Sequence, residues 1–596
     1  VPLIEITQEH LGVEIMRGCP QGCRFCMAGP IYKPVRPRPV ADILQQVEQQ
    51  LDATGYTEVT LLSLSSSDYP DIDDLVVKLS RKLEPQRTSM SLPSLRPGSI
   101  SPTLLEAVNR VRVGSLTIAP EAGTERLRLF IRKDFPDRAV LDTARLAYAK
   151  GINTIKLYFM VGLPSETEED LLGIVDLCRS IHAISREYPG KRSLTVTLSP
   201  FVPKPHTPFQ WDEAMPEKEM FDRIQFVRRK IRTSHTSIRH NSTILAQLVA
   251  ILGRGGRDIA PAIEHAFNHG ARFDAWTEHF DWEKWQQAFD ACGINVAEAQ
   301  KAIGFDRRLP WDHILKGPSK EHLREERHRT SLKLKEYTPP DETDGSSKGE
   351  ADTGASFGRG KKKLASRNLV QPTKSRVRIR WGRSERYKYM SHLDSLRLLE
   401  RSLRRSRLPV AYSQGFNPTM KLSFGPPLTV GFTSDAELVE ITLDQVFSPI
   451  MLEQLKRTIP DGIELYEARV VHTKSASLTA MLNRARYAID LSLWDDRASL
   501  EKQAEQLLAR ESLIVPRKGK DAVKEVDIRP AIYGLTVTDT QLDMLLGIGE
   551  GGYARPSEVL EQLTDTLRLP VQAVTVHRSG LYRVIDEHEM IDGMQI

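Results

Sequence analysis

Apolar runs of five to eight residues recur through the first 240 residues, each separated from the next by an amphipathic stretch. The runs are Val13–Arg17, Glu58–Leu64, Thr88–Leu92, Ser115–Ala119, Thr154–Val161 and Leu194–Phe201. Helical periodicity fills the spaces between them, at Val40–Ala53, Ile72–Leu83, Pro102–Val111, Arg138–Ala149 and Leu171–Glu187. Short β-rich runs alternating with amphipathic helices make βαβ units and a parallel sheet. Leu157–Val161 is apolar throughout, as a parallel strand covered on both faces should be. Six such strands predict an α/β fold, a partial (β/α)6 barrel over residues 1–240. In barrels of this kind the chemistry sits on the loops that follow the strands.

The first of those loops is the richest. Arg17-Gly18-Cys19-Pro20-Gln21-Gly22-Cys23-Arg24-Phe25-Cys26 places three of the chain's five cysteines within eight residues, spaced C-x3-C-x2-C. Thiolates are soft ligands that select iron–sulfur clusters, zinc or copper(I). A structural zinc site normally has four protein ligands, and no fourth Cys or His lies within the loop. A cubane cluster also usually takes four cysteines, so three imply a cluster with one iron open to a non-protein ligand. Three buried, inert cysteines, or a zinc loop with a distant fourth ligand, are the competing readings.

The cysteine spacing, the aromatic Phe25 before the last cysteine and the position after a strand resemble the signature of radical S-adenosylmethionine (SAM) enzymes. The resemblance implies that Cys19, Cys23 and Cys26 hold a [4Fe-4S] cluster whose fourth iron chelates SAM. It also implies reductive cleavage of SAM to a 5′-deoxyadenosyl radical, the cofactor carrying the hard chemistry. The other strand-end loops resemble the branch containing the methylthiotransferases and the elongator catalytic subunit. By that resemblance Ser65, Ser66 and Ser67 stand where relatives bind the amino group of SAM, although the usual Gly-Gly-Glu is absent. Arg96 and Glu121 would face the ribose or methionine, Gly162 and Pro164 the adenosyl group, and Phe201 and Val202 the adenine. A reductant such as flavodoxin or ferredoxin is implied as partner. Structural alternatives stand beside these: Glu121 complementing a helix dipole, Arg96 pairing with a surface carboxylate, and Ser165 or Thr167 capping a helix.

Residues 241–337 read as a helical extension, dense in aromatics from Phe273 to Trp311. Cys178 and Cys292 stand alone and read as core residues. Residues 338–373 turn to Pro, Asp, Gly, Ser and Lys, the composition of a flexible linker. Residues 374–596 read as an α+β domain, ferredoxin-like where Ser375–Trp381, Leu393–Arg407, Lys421–Phe424, Glu437–Leu443 and Pro449–Thr458 follow one another. This half resembles a domain of unknown function linked to radical-SAM proteins, through Tyr389-Met390-Ser391-His392-Leu393-Asp394 and Ser413-Gln414-Gly415-Phe416-Asn417-Pro418. Within it, Arg376–Lys421 carries about a dozen Lys and Arg against three acidic residues, with Trp381, Tyr387, Tyr389, Tyr412 and Phe416 interleaved. Such a composition suits phosphate backbones and unstacked bases, so RNA is the expected partner. A solvated helix face is the plainer reading. His392 and Asp394 form either a ligand pair or a surface His beside a capping Asp.

Five cysteines, three of them clustered, fit a reducing, cytoplasmic setting rather than a disulfide framework. No apolar run approaches the roughly 20 residues needed to span a bilayer. The net charge of +5 is small for 596 residues and excludes little. Methylthio transfer in the relatives needs a second cysteine trio, and Cys178 with Cys292 cannot supply one. The chain opens at Val1 directly before a strand, and relatives carry an upstream cobalamin-binding-like domain; cobalamin would join the chemistry only if such a domain precedes Val1. The reading is therefore a radical SAM enzyme acting on RNA. The alternatives are the same chemistry on a small molecule or peptide, and a non-catalytic iron–sulfur RNA-binding protein.

Overall fold

The computed structural model describes residues 4, 6–93, 95–337, 375–413, 418–492, 496–518, 523–549, 552–563, 574–585 and 589–596. Ser94, the linker segment 338–373 and Phe416 lie outside the described residues. The chain divides into two compact units. One holds His10–Glu48 and Thr57–Ala355, the other Val1–Glu9, Gln49–Tyr56 and Ser356–Ile596.

In the first unit the strands are β1 (Leu11–Glu14), β2 (Glu58–Leu62), β3 (Ser89–Ser91), β4 (Leu116–Glu121), β5 (Thr154–Val161), β6 (Ser193–Pro200) and β7 (Thr236–His240). The intervening helices are α1 (Val40–Thr54), α2 (Ile72–Leu83), α3 (Pro102–Val108), α4 (Glu125–Phe130), α5 (Asp137–Ala149), α6 (Glu168–Ser185) and α7 (Glu217–Lys230). These seven strands all pair in parallel, in the orders β1-β2-β3 and β4-β5-β6-β7. The architecture is the expected α/β barrel type, with two differences. Among the described residues the parallel sheets hold seven strands rather than six, since Thr-Ser-Ile-Arg-His at β7 is half-exposed and polar and so lacks the apolar run of a covered strand. The pairing is also interrupted between β3 and β4, where β3 supplies only Ser-Met-Ser before the chain turns away at Pro93.

Local chemistry explains the helix starts. Ser101 accepts the Leu104 amide ahead of Pro102 in α3, and Thr167 with Asp170 forms a capping box on α6. Leu75, Val76, Leu79 and Leu83 of α2 recur at helical spacing and are buried. The extension contains α8 (Thr243–Arg254), α9 (Ala260–Asn268), α10 (Trp282–Ala291) and α11 (Lys320–Glu336). Ile251, Ile259, Ala266, Trp285 and Phe289 give it a small core of its own. Helix α11 is tied to the barrel by Arg327–Asp212 at 2.6 Å and Arg24–Glu326 at 2.9 Å.

The second unit contains β8 (Ser375–Arg383), α12 (His392–Arg405), β9 (Leu422–Phe424), β10 (Thr433–Leu443), α13 (Pro449–Lys456) and β11 (Ile463–Val471). These are followed by β12 (Arg484–Asp490), α14 (Arg497–Leu508), β13 (Ile532–Val537), β14 (Gln541–Gly549), α15 (Pro556–Gln562), β15 (Val576–Val584) and β16 (Met590–Asp592). Strands pair in the order β11-β8-β10-β9 in the first half and β15-β12-β14-β13 in the second. Each half is a β-α-β-β-α-β unit with its fourth and first strands adjacent and its third beside the first, the ferredoxin-like arrangement. The expected unit is thus present twice. The halves meet where Thr433 and Ser434 of β10 pair in parallel with His577 and Arg578 of β15. Among the described residues no helix is long and apolar enough to cross a membrane.

Candidate cluster-binding site

The cysteine loop leaves β1 and returns through a short antiparallel pairing of Met16–Arg17 with Arg36–Pro37. Gly18 has φ of +95°, and a Cβ there would strike the Tyr32 carbonyl oxygen, so the bend into the loop needs glycine. The Cys26 amide donates to the Cys23 carbonyl at 3.1 Å, folding the second half of the motif into a turn. All three cysteines are free and half-buried.

Three neighbouring segments hold this loop. Gln21 donates from Nε2 to Asp68 Oδ2 at 2.9 Å and accepts at Oε1 from Arg96. Arg96 in turn donates its backbone amide to Ser67 Oγ at 3.1 Å and stands over the Phe135 ring. On the other side, Arg24 is buried and donates to the Phe130 carbonyl at 2.7 Å, while its amide donates to Ile131 O at 3.0 Å. Lys133, just beyond, pairs with Glu121 Oε1 at 3.0 Å and donates to the Ala119 carbonyl. The loops after β2 and β3 and the turn after α4 therefore reach the cysteine loop through Asp68, Arg96 and Lys133.

Burial, with Cys26 and Cys19 adding to it, pushes Cys23 up to about 11 against the pull of Lys133 and Arg96. Burial likewise raises Cys19. A thiol bound to a metal is held deprotonated whatever its free pKa. Among the described residues no three His, Cys, Asp or Glu side chains converge on one ion. A cubane does not ask for that, since each cysteine ligates a different iron. The donor set fits a [4Fe-4S] cluster.

The SAM-facing candidates separate into two groups. Ser67 and Arg96 meet at the cysteine loop, and Glu121 reaches it through Lys133. Ser65 and Ser66 are buried at the head of the short turn Ser66–Asp68, with Ser66 Oγ 3.0 Å from Ser63 Oγ. At the end of β5, Gly162 has φ of +85° and a Cβ there would run into Met220. Its amide donates to Glu166 Oε2 at 2.9 Å, a carboxyl that burial pushes up to about 7 although Arg223 lies 3.2 Å away. Phe201 is 3% exposed and meets Phe209 edge-on at 5.9 Å; Pro164 and Val202 are half-buried. Thr167, not Ser165, caps α6. Gln21, Asp68 and Lys133 are the additions that sequence reading left out. Asp68 was signalled by its place after β2, whereas Lys133 lies past α4 with no motif around it.

The basic segment of the second unit is handled differently. Arg376 and Arg378 both pair with Glu440, and Arg380 pairs with Asp592. Arg383 is buried and donates to the carbonyls of Met390 at 2.7 Å, Thr429 at 3.0 Å and Phe432 at 2.9 Å. Arg401 pairs with Glu9 at 2.6 Å and Arg405 donates to the Thr458 carbonyl at 2.9 Å. Asp394 forms a capping box with Ser391. His392 meets the Phe424 ring edge-on at 5.4 Å, and burial lowers its pKa.

Residues 13–178 match the radical SAM superfamily, and residues 376–556 match the family described as "Uncharacterized protein conserved in bacteria (DUF2344)". An uncharacterized protein of Methanocaldococcus jannaschii, MJ0966, is 30% identical over 282 residues, 47% of this chain and 60% of that protein. A tRNA-2-methylthio-N(6)-dimethylallyladenosine synthase of Thermotoga petrophila is 27% identical over 30% of this chain and 42% of its own length. The ribosomal protein uS12 methylthiotransferase RimO of Desulfotalea psychrophila is 31% identical over 28% of this chain and 39% of its own. The chain thus spans less than two thirds of each of these relatives.

Proposed function

We propose that this chain, which carries a radical SAM domain followed by a domain of that bacterial family, binds a [4Fe-4S] cluster through Cys19, Cys23 and Cys26 and cleaves SAM reductively. The observation that carries the reading is the cysteine loop itself: three half-buried thiols with Arg96 and Lys133 offsetting their charge from either side. When bound, such a cluster would supply the electron for reductive cleavage of SAM to methionine and a 5′-deoxyadenosyl radical. The chain's own residues bind and orient. Arg24 fixes the loop to the end of α4, and Gln21 fixes it to Asp68 and Arg96. Ser67, Asp68 and Arg96 form a polar flank suited to the amino-acid end of SAM. Phe201 and Gly162, packed against Phe209 and Met220, set the shape behind the adenosyl end. A flavodoxin or ferredoxin is the fitting class of reductant.

For the substrate, RNA remains the reading we favour, supported by the similarity to the Thermotoga tRNA-2-methylthio-N(6)-dimethylallyladenosine synthase. A peptide or protein substrate is the second reading, favoured by the RimO relative and by the internal pairing of the β8 arginines. The experiment for the shared chemistry is anaerobic reconstitution of the chain and of Cys23→Ala. About four iron and four sulfide per chain are expected for the native protein. The variant should lose most of that iron and all 5′-deoxyadenosine formation from SAM and dithionite. Zinc in place of iron, with no 5′-deoxyadenosine, would overturn the reading.

A further inference from the structure

The sheet of the second ferredoxin-like half packs one face into an apolar core. Ala485, Tyr487, Ile489, Leu542, Met544, Leu546, Ile532 and Leu535 point into a core shared with α14 and α15. Alternate residues of β12, β13 and β14 lie on the other face, exposed or half-exposed except at Gly547, which Gly552 and Ala531 cover.

Strand register lays these residues in rows. Arg484 stands opposite Tyr582 of β15 on one side and Gly547 of β14 on the other. The Arg484 guanidinium stacks 3.4 Å over the Tyr533 ring of β13, while Gly552 O and the Ala531 Cβ fill the space beside Gly547. In the next row Arg486 stands opposite Gly580 and Leu545. Tyr582 lies down over Gly580, its hydroxyl where a Cβ would be, with the Arg486 guanidinium 5.8 Å from its ring. Tyr533 is 41% exposed. Among the described residues neither Arg484 nor Arg486 is paired with a carboxylate. The acids of this face, Asp490 and Asp543, sit at the other end of the strands, and Asp543 accepts from Gln541 at 3.0 Å.

We propose that this open face, at Arg484, Arg486, Tyr533 and Tyr582, binds single-stranded RNA, a reading that rests on RNA as the substrate class. Flat rings and guanidinium planes on an antiparallel sheet stack unpaired bases, and cations that pair with no carboxylate among the described residues meet the phosphates. A duplex keeps its bases stacked on one another and leaves those planes unused. The surface thus differs from Arg376–Lys421, where most cations are already occupied.

The test measures binding of the full chain to a labelled 12-nucleotide unstructured RNA at low and moderate salt. Arg484→Ala/Arg486→Ala should weaken binding at least ~10-fold and flatten its salt dependence. Tyr533→Ala should weaken it roughly 5- to 100-fold at every salt concentration, and Tyr533→Phe should restore it. Thermal melts of each variant report folding. Arg401→Ala/Arg404→Ala/Arg405→Ala should leave affinity within about 2-fold of native. Loss with that triple variant but not with the sheet-face variants would overturn the proposal and leave the RNA reading standing. No RNA binding by the native chain at low salt would remove the RNA reading itself. Duplex RNA bound as tightly as single-stranded would overturn the stacking surface.

Discussion

The two ferredoxin-like halves share one strand order and treat their second sheet face in opposite ways. In the first, β8 presents Arg376, Arg378 and Arg380, and the neighbouring β10 presents Glu440 directly opposite Arg378. Arg378 and Glu440 are 0% and 1% exposed, and Arg378 also donates to the carbonyls of Gly593 and Ile596, where the last residues cross this face. In the second, β12 presents Arg484 and Arg486, and its neighbours answer with glycine, leucine and tyrosine. Two strands of similar composition therefore stand in different surroundings. What decides is the residue opposite in the sheet: a carboxylate turns a strand arginine into internal structure, and without one among the described residues the arginine keeps its charge on the sheet face.

If that contrast is right, removing the carboxylate should have the largest effect. Glu440→Gln leaves Arg376 and the fully buried Arg378 without their counter-charge, and about 3–5 kcal/mol of stability should be lost. Urea denaturation of the full chain would measure it, and a loss below about 1 kcal/mol would mean that the first face is not held by this pair. The seam between the halves comes next. Arg578 of β15 pairs with Glu437 of β10 at 2.8 Å and keeps a second acceptor, the Pro426 carbonyl at 2.9 Å. Since Glu437 pairs with one arginine where Glu440 pairs with two, Glu437→Gln should cost less, about 2–3 kcal/mol. Because Glu437 joins one half to the other, hydrogen exchange should rise on both β10 and β15; a rise confined to one half would make them independent folding units.

The cysteine loop and the six-run alternation were legible in the sequence because each rests on local spacing, which a chain displays in order. What stayed hidden depends on pairing between distant segments. Lys133 reaches Cys23 only because the turn after α4 lies against the loop after β1, as the Arg24 amide bond to Ile131 shows. Strand β7 was missed because its edge position demands no apolar run. The arginines of Arg376–Lys421 were read as a surface because composition does not reveal which strand stands opposite. The second ferredoxin-like unit was missed for a related reason. A long insertion, including the hairpin Ile514–Lys518 with Val523–Asp527, separates α14 from β13 and hides the repeat spacing.

The smallest effect should fall on the open face, and it sharpens the comparison most. Arg486 is exposed, and no carboxylate in the described residues loses a partner when it is removed. Arg486→Ala should therefore change stability by no more than about 0.5 kcal/mol. Arg484→Ala also gives up the stacking on Tyr533, an exposed cation–π contact that contributes about 0.5–1 kcal/mol. Urea midpoints for the two variants should thus shift slightly, with Arg484 the larger, and with no change in the steepness of the transition. An arginine held for structure behaves like Arg378, whose removal unsettles a buried carboxylate and the carbonyls of Gly593 and Ile596. If Arg486→Ala instead destabilised the protein as much as Glu440→Gln, the second face would be structural as well. The difference between the halves would then be one of geometry alone, without a surface left over for a partner.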